Sequence, residues 1–203
     1  MPRPQTDARQ RILAIADDLF YREGIRATGV DTIIAASEVA KTTLYRYFPS
    51  KDDLAVAYLE DRSQRFWELF EAVATQHAGQ PKQQLLAIFE WLDEMLSQGD
   101  CHGCPLLVVS SEFPELGYPG HQIAIAQKQK VRDRLSELAA LAGIRSAKEL
   151  SAVLLMLLDG AFSERRLFNK HNNGVKLAKA AAVAIAAYET QLDESVGVMD
   201  NSV

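Results

Sequence analysis

The sequence predicts an all-α protein of about nine helices, and three observations carry that expectation. Apolar residues recur at i, i+3 or i+4 and i+7 through almost every periodic segment. Glycine, proline and asparagine clusters punctuate the chain between those segments, as at Gly24, Pro49-Ser50, Gly79-Gln80-Pro81 and Gly99-Asp100. The one β-branched pair that invites a strand, Val108-Val109, has no partner segment to pair with.

Taken in order, Ile12, Ala16, Leu19 and Phe20 line one face of a first helix that Gly24 ends. Val30, Ile33, Ile34 and Ser37 give a short second helix, with Thr28 as its expected N-cap. A third starts near Lys41, carries Leu44, Tyr45 and Phe48, and breaks at Pro49-Ser50. Ser50-Lys51-Asp52-Asp53 then reads as a cap followed by first-turn acids, which suit the helix dipole. That fourth helix is expected to run to about Gln76. Leu85 to Leu96 form a fifth helix and Leu106 to Phe113 a short sixth between Pro105 and Pro114. Long helices follow from Pro119 to Ala142 and from Ser146 to His171. Asn172-Asn173-Gly174 is a turn, and an alanine-rich helix from Val175 to Leu192 completes the fold. The expected organisation is a first domain over residues 1–51, a second over 52–193, and a frayed tail over 194–203.

Composition narrows the class. Hydrophobic residues make up 48% and charged residues 24% of the 203, enough apolar material for a packed core. No apolar run approaches the ~18 residues that span a bilayer, so no membrane partner is expected. No apolar stretch follows Arg3, so a secretory leader is not expected either. Two cysteines are too few for a disulfide scaffold, and the expected location is the cytoplasm. The total charge of −5 argues against nucleic acid until it is divided. Residues 1–51 hold eight Lys and Arg against six acids, or +2, whereas the other 152 hold fourteen against twenty-one, or −7. A basic head on an acidic body fits a protein whose head alone meets an anionic partner.

The stretch Gly24–Lys51 carries the function. Two short helices flank a tight turn at Glu38-Val39-Ala40, with Val39 set to plug the angle between them. That is helix-turn-helix geometry, in which the second helix enters the DNA major groove. Lys41, Thr42 and Thr43 stand where base edges and phosphates are reached, and Leu44 and Phe48 face inward. Tyr45, Arg46 and Tyr47 supply hydroxyls and a guanidinium, and Lys51 opens the next helix beside them. Most short helix pairs merely pack, and in isolation these tyrosines read equally well as half-buried core.

The full string decides between those readings. Gly24, Ile33, Val39, Lys41, Thr43, Leu44, Tyr45, Tyr47, Phe48, Ser50, Lys51 and Leu54 match, without a gap, the pattern of the DNA-binding region of the TetR family, which the segment closely resembles. Three positions depart from it: Glu38 replaces a turn glycine, Ile34 an alanine and Ala40 a serine cap. If position 38 is left-handed, its side chain costs on the order of 1 kcal/mol. The resemblance implies a double-stranded operator, with Lys41, Thr42, Thr43 and Arg46 nearest the bases and Tyr45, Tyr47 and Lys51 on phosphate. A basic leader, Arg3, Arg9 and Arg11, is either a further DNA contact or simply solvated.

The acidic body offers a wide apolar stripe (Leu150, Val153, Leu154, Leu157, Leu158, Ala161, Phe162) and a small-residue face (Ala178, Ala181, Ala182, Ile185, Ala186). Such faces pack inside monomers as well as between them. The resemblance implies a homodimer, with a four-helix interface built from these two helices of each subunit. It also implies that some bulky residues line a pocket for a small, largely apolar effector, with Phe66, Phe70, Phe89, Met95, Phe113, Tyr118, His121, Met156 and Phe162 as candidates and Glu112, Gln122 and Arg165 as polar companions. The expected function is a homodimeric repressor released from a palindromic operator by that effector.

The same residues admit other readings. Cys101-His102-Gly103-Cys104 is a lone C-x-x-C without the second ligand pair that zinc requires, so neither metal nor cofactor is expected. A reversible thiol switch at Cys101 and Cys104 stays open beside the plainer reading of Cys104 as a packing residue and Cys101 as part of a solvent loop. No phosphate-cradling glycine loop, nucleophile elbow or H-E-x-x-H is present, which argues against an enzyme. A third alternative is an all-helical small-molecule binder without DNA activity.

Overall fold

The computed structural model of the chain describes residues 5–168 and 176–196, and among these every regular element is an α-helix. The nine described helices are α1 (Gln5–Glu23), α2 (Val30–Ser37), α3 (Lys41–Tyr47), α4 (Lys51–Thr75), α5 (Pro81–Ser97), α6 (Pro105–Glu112), α7 (Pro119–Leu141), α8 (Ala147–Phe168) and α9 (Leu177–Val196). The sixth segment is thus a helix, as the lack of a partner strand required. The expected turn at Asn172-Asn173-Gly174, Arg3 of the leader and residues 197–203 of the tail lie outside the described residues. Residues 194–196 belong to α9 rather than to a tail.

The chain divides into two compact units, and the division is not the expected one at residue 51. The first unit comprises residues 1–66 with 104–126, and the second comprises 67–103 with 127–203. In the first, Ile12, Ala16 and Phe20 of α1 pack with Ile33 of α2 and Leu44 of α3, all 2% exposed or less. The N-terminal half of α4 adds Leu54, Tyr58 and Leu59 to the buried set. Asp17 ties α1 to α4 by accepting from Arg62 Nε at 2.7 Å and Nη2 at 2.8 Å, and from Arg65 Nη2 at 2.9 Å. A paired guanidinium laid on the Tyr21 ring, 3.6 Å from its centroid, keeps its charge at little net cost.

In the second unit α5, α8 and α9 pack on one another. Leu85, Ile88, Phe89 and Leu92 of α5 meet Leu150, Leu154 and Leu158 of α8 and Ala181 and Ile185 of α9 in a core no residue of which exceeds 2% exposure. Alanines on α9 allow this close approach. Two contacts tie α9 to α5, one at its start and one past its middle. At the start Asp93 accepts from the Leu177 and Ala178 N–H groups at 2.9 and 3.1 Å, and past the middle Lys82 pairs with Glu189 at 2.8 Å. Asp93 therefore satisfies two of the donors that a helix start leaves open.

The residues expected at a dimer interface pack largely within the chain. Leu150, Leu154, Leu158, Ala181 and Ile185 are consumed within the single chain, and Ala178 and Ala182 are half-buried. A wide apolar stripe has two sides, and the bulkier side turned inward. The side left open carries Val153, Met156, Leu157 and Gly160 on α8 and Val183, Ala186 and Ala187 on α9, with Met156 66% and Val183 64% exposed. No described helix is long and apolar enough to cross a membrane.

Candidate nucleic-acid interface

The local rules that shape α1–α3 also aim the recognition surface. Gly24, at φ +95°, ends α1 with its N–H on the Phe20 carbonyl at 3.0 Å. Thr28 is not the cap of α2. Its hydroxyl donates to the Gly24 carbonyl at 2.7 Å, in a buried site, and Gly29 takes the cap position without a side-chain bond. The carbonyl at the end of α1 is a nearer partner for Thr28 than the first turn of α2. After Ser37 the chain turns through Glu38, which is left-handed at φ 53°, ψ 40°, the strained case foreseen for a non-glycine residue there. Ala40 then starts α3 from an extended backbone and offers no side-chain cap.

Leu44 (0% exposed) and Phe48 (3%) anchor α3 inward, as their spacing of four requires. The opposite face follows from 3.6 residues per turn: Lys41, Thr42, Tyr45 and Arg46 are exposed, and Thr43 and Tyr47 are half-buried at its margins. Arg46 lies 5.1 Å from the Tyr47 ring centroid. Lys41 Nζ reaches Asp31 at 3.3 Å, a pair so exposed that it is worth at most ~1 kcal/mol. Ser50 opens α4, accepting from the Asp53 N–H at 3.0 Å and donating to the Asp53 carboxylate at 2.7 Å. That fixes Lys51 in the first turn, where its Nζ donates to the Arg26 carbonyl at 3.4 Å. Of the leader, Arg9 is exposed on α1 with its guanidinium 5.3 Å from the Phe48 ring centroid, and Arg11 is half-buried. The seven expected DNA-binding residues thus stand on α3 and the first turn of α4, in one compact unit.

Residues from far along the chain complete this unit, in contacts other than the pocket lining expected of them. The Glu112 carboxylate at the end of α6 accepts from the Ile25 N–H at 2.9 Å and the Arg26 N–H at 3.3 Å. The Arg26 guanidinium lies 4.7 Å from the Phe113 ring centroid, and Phe113 stacks on Tyr118 at 4.1 Å. Tyr118 donates its hydroxyl to Asp52 at 2.9 Å, and His121 Nδ1 lies 2.8 Å from the Phe113 carbonyl oxygen. Burial first, and the Asp52 contact second, push the Tyr118 phenol above its ordinary pKa, so it stays a donor. Burial likewise raises Tyr58. Burial works against the Arg62 charge, but Asp17 more than offsets it and leaves the pKa raised.

The expected pocket residues fall in both units. Phe66, Phe113, Tyr118 and His121 are in the first, the last three engaged as just described. Phe70, Phe89 and Phe162 are buried in the second, Met95 is half-buried there, and Trp67 stacks on Phe70 at 5.4 Å. Met156 is exposed on α8. Among the polar companions, Gln122 donates to the Leu116 carbonyl and Arg165, buried, donates to the Gln98 carbonyl at 2.7 Å. Cys101 and Cys104 are free thiols, both buried, so Cys101 is not in a solvent loop. Among the described residues no group of three or more His, Cys, Asp or Glu is placed to hold a metal ion.

Comparison with known proteins agrees with this geometry. Residues 12–58 match the family described as bacterial regulatory proteins, tetR family. The chain is 24% identical over 180 residues to the HTH-type transcriptional regulator YjdC of Escherichia coli K12, covering 89% of this chain and 94% of that one. It is 26% identical over 111 residues to the HTH-type transcriptional repressor NemR of the same organism, covering 54% of this chain and 56% of NemR. The crystal structure of SCO4454, a TetR-family transcriptional regulator from Streptomyces coelicolor, superposes with a TM-score of 0.82 at 28% identity, over 92% of this chain and 96% of that one.

Proposed function

Since this chain belongs to the TetR family of helix-turn-helix DNA-binding transcriptional regulators, we propose that it is a homodimeric repressor released from a palindromic operator by a small, largely apolar effector. The observation that carries the reading is the outer face of α3: Lys41, Thr42, Tyr45 and Arg46 stand in solvent because Leu44 and Phe48 hold the other face inward. In this reading Lys41, Thr42, Thr43 and Arg46 address base edges, and Tyr45, Tyr47 and Lys51 address phosphates. One such helix reads only a few base pairs, so useful specificity calls for two heads on a palindrome. The open apolar side of α8 and α9, with Met156 and Val183, is the surface we assign to the partner copy. Release needs no chemistry: an effector that prefers the non-binding conformer lowers operator affinity by its coupling energy.

The test is a fluorescence-anisotropy titration against the intergenic DNA flanking the protein's own gene, at several salt concentrations. Saturable binding that outcompetes scrambled DNA and falls steeply with salt is the expected result. A flat response, repeated with DNA pools from random-site selection, would sink the reading.

A further inference from the structure

We propose that Glu112 is a positioning residue for DNA binding: it never meets DNA, but it fixes the α1–α2 link that holds the Lys51 ammonium in place. The inference rests on the reading above, in which Lys51 binds phosphate. It begins with the arrangement of hydrogen bonds around one residue, Arg26. The Arg26 N–H donates to Glu112 Oε2 at 3.3 Å, and its carbonyl accepts from Lys51 Nζ at 3.4 Å. The same carboxylate oxygen takes the Ile25 N–H at 2.9 Å. Both backbone groups of Arg26 are therefore used, one to receive the constraint and one to pass it on. The Arg26 guanidinium over Phe113, the residue after Glu112, ties down the side chain as well.

At φ +95° position 24 favours glycine on backbone grounds alone, and the carboxylate packs against it. A Cβ at Gly24 would stand 2.2 Å from Glu112 Oε1 and 3.2 Å from its Cδ, so the carboxylate occupies the space that a side chain would take. A second tie lands one residue beyond Lys51, where Tyr118 bonds Asp52 at 2.9 Å. The first turn of α4 is thus contacted directly by Tyr118 and, through the Arg26 carbonyl, linked to Glu112. A carboxylate that accepts two N–H groups is a strong acceptor, and its loss leaves Ile25, which is 2% exposed, with a donor poorly placed to reach water.

The sign of the effect separates positioning from plain electrostatics. An acid beside a DNA-binding surface repels phosphate, so charge alone predicts that Glu112→Ala strengthens binding. Positioning predicts the opposite. The probe is a duplex recovered by random-site selection with the wild-type protein, titrated by anisotropy. Glu112→Ala is expected to weaken binding by about tenfold, the scale of one charge-assisted hydrogen bond. Glu112→Gln, which keeps an acceptor oxygen, should recover part of that loss. In the Lys51→Ala background Glu112→Ala should do little, because the group it positions is gone. Hydrogen exchange at the Ile25 and Arg26 amides should quicken in Glu112→Ala, and should respond in Glu112→Gln even if the alanine variant folds poorly.

Unchanged or stronger binding by Glu112→Ala, or a loss fully additive with Lys51→Ala, overturns the proposal while Lys51 keeps its phosphate role. If Lys51→Ala itself leaves affinity and salt slope intact, the phosphate role falls, and this proposal falls with it.

Discussion

Glu38 is a case in which a stabilising substitution can be read from one pair of dihedrals. It is the one non-glycine residue with positive φ among the described residues, at φ 53°, ψ 40°, in the exposed turn between α2 and α3. Holding an L-residue there costs roughly 1–2 kcal/mol through contact of Cβ with the following carbonyl. Glycine removes that cost but loses more conformational freedom on folding, roughly 0.5–1 kcal/mol. Taken at mid-range, the two effects leave Glu38→Gly more stable by about 0.75 kcal/mol. With a urea m-value of about 2 kcal/mol/M, the unfolding midpoint should rise by roughly 0.3–0.5 M without a change in slope. Glu38→Gln supplies the control, because it removes the charge and keeps the Cβ. If Gln stabilises as much as Gly, the gain is electrostatic and the backbone argument is refuted. A Gly variant no more stable than wild type refutes it as well.

Three further outcomes follow from named contacts. Asp93→Ala, which strips two N–H bonds from the start of α9, should destabilise by about 1–2 kcal/mol in urea titration, and a loss below the error of the fit would count against the cap. Asp31→Asn removes an exposed acid beside the outer face of α3 that repels any DNA backbone, so it should tighten binding to all DNA sequences; weaker binding would assign Asp31 a structural role instead. Val183→Asp puts a charge on the open side of α9 and should yield monomers in sedimentation, whereas an intact dimer would move the interface elsewhere.

How much was legible varied with the range of the signal. The bounds of α2 and the start of α3 were readable because periodicity, the turn and the inward pair Leu44 and Phe48 all fall within residues 30–48. Thr28 was misassigned because a hydroxyl near two helix ends has two possible partners, and sequence does not rank them. Glu112 was invisible as a partner of Ile25, from which 87 positions separate it. Local patterns carry no record of which distant carboxylate arrives at a backbone N–H. The same limit explains Phe113, Tyr118 and His121, whose bulk suggested a pocket while their contacts lie around the α6–α7 connection. On α8 the period located the stripe, but only packing decided that Leu154 turned inward and Met156 outward.

The discontinuous make-up of the first unit bears on how such a regulator can be cut and rejoined. A gene fragment ending after residue 51, or after residue 66, encodes the recognition helix but leaves Glu112 and Tyr118 behind. Such a fragment would carry a glycine whose open space nothing fills and two amides with no carboxylate to receive them. Transplanting the DNA-binding unit proposed for this protein onto another body therefore means moving two pieces of chain, 1–66 and 104–126, as one graft. A chimera joined at a single seam inherits the letters of the recognition helix without the grip that steadies it.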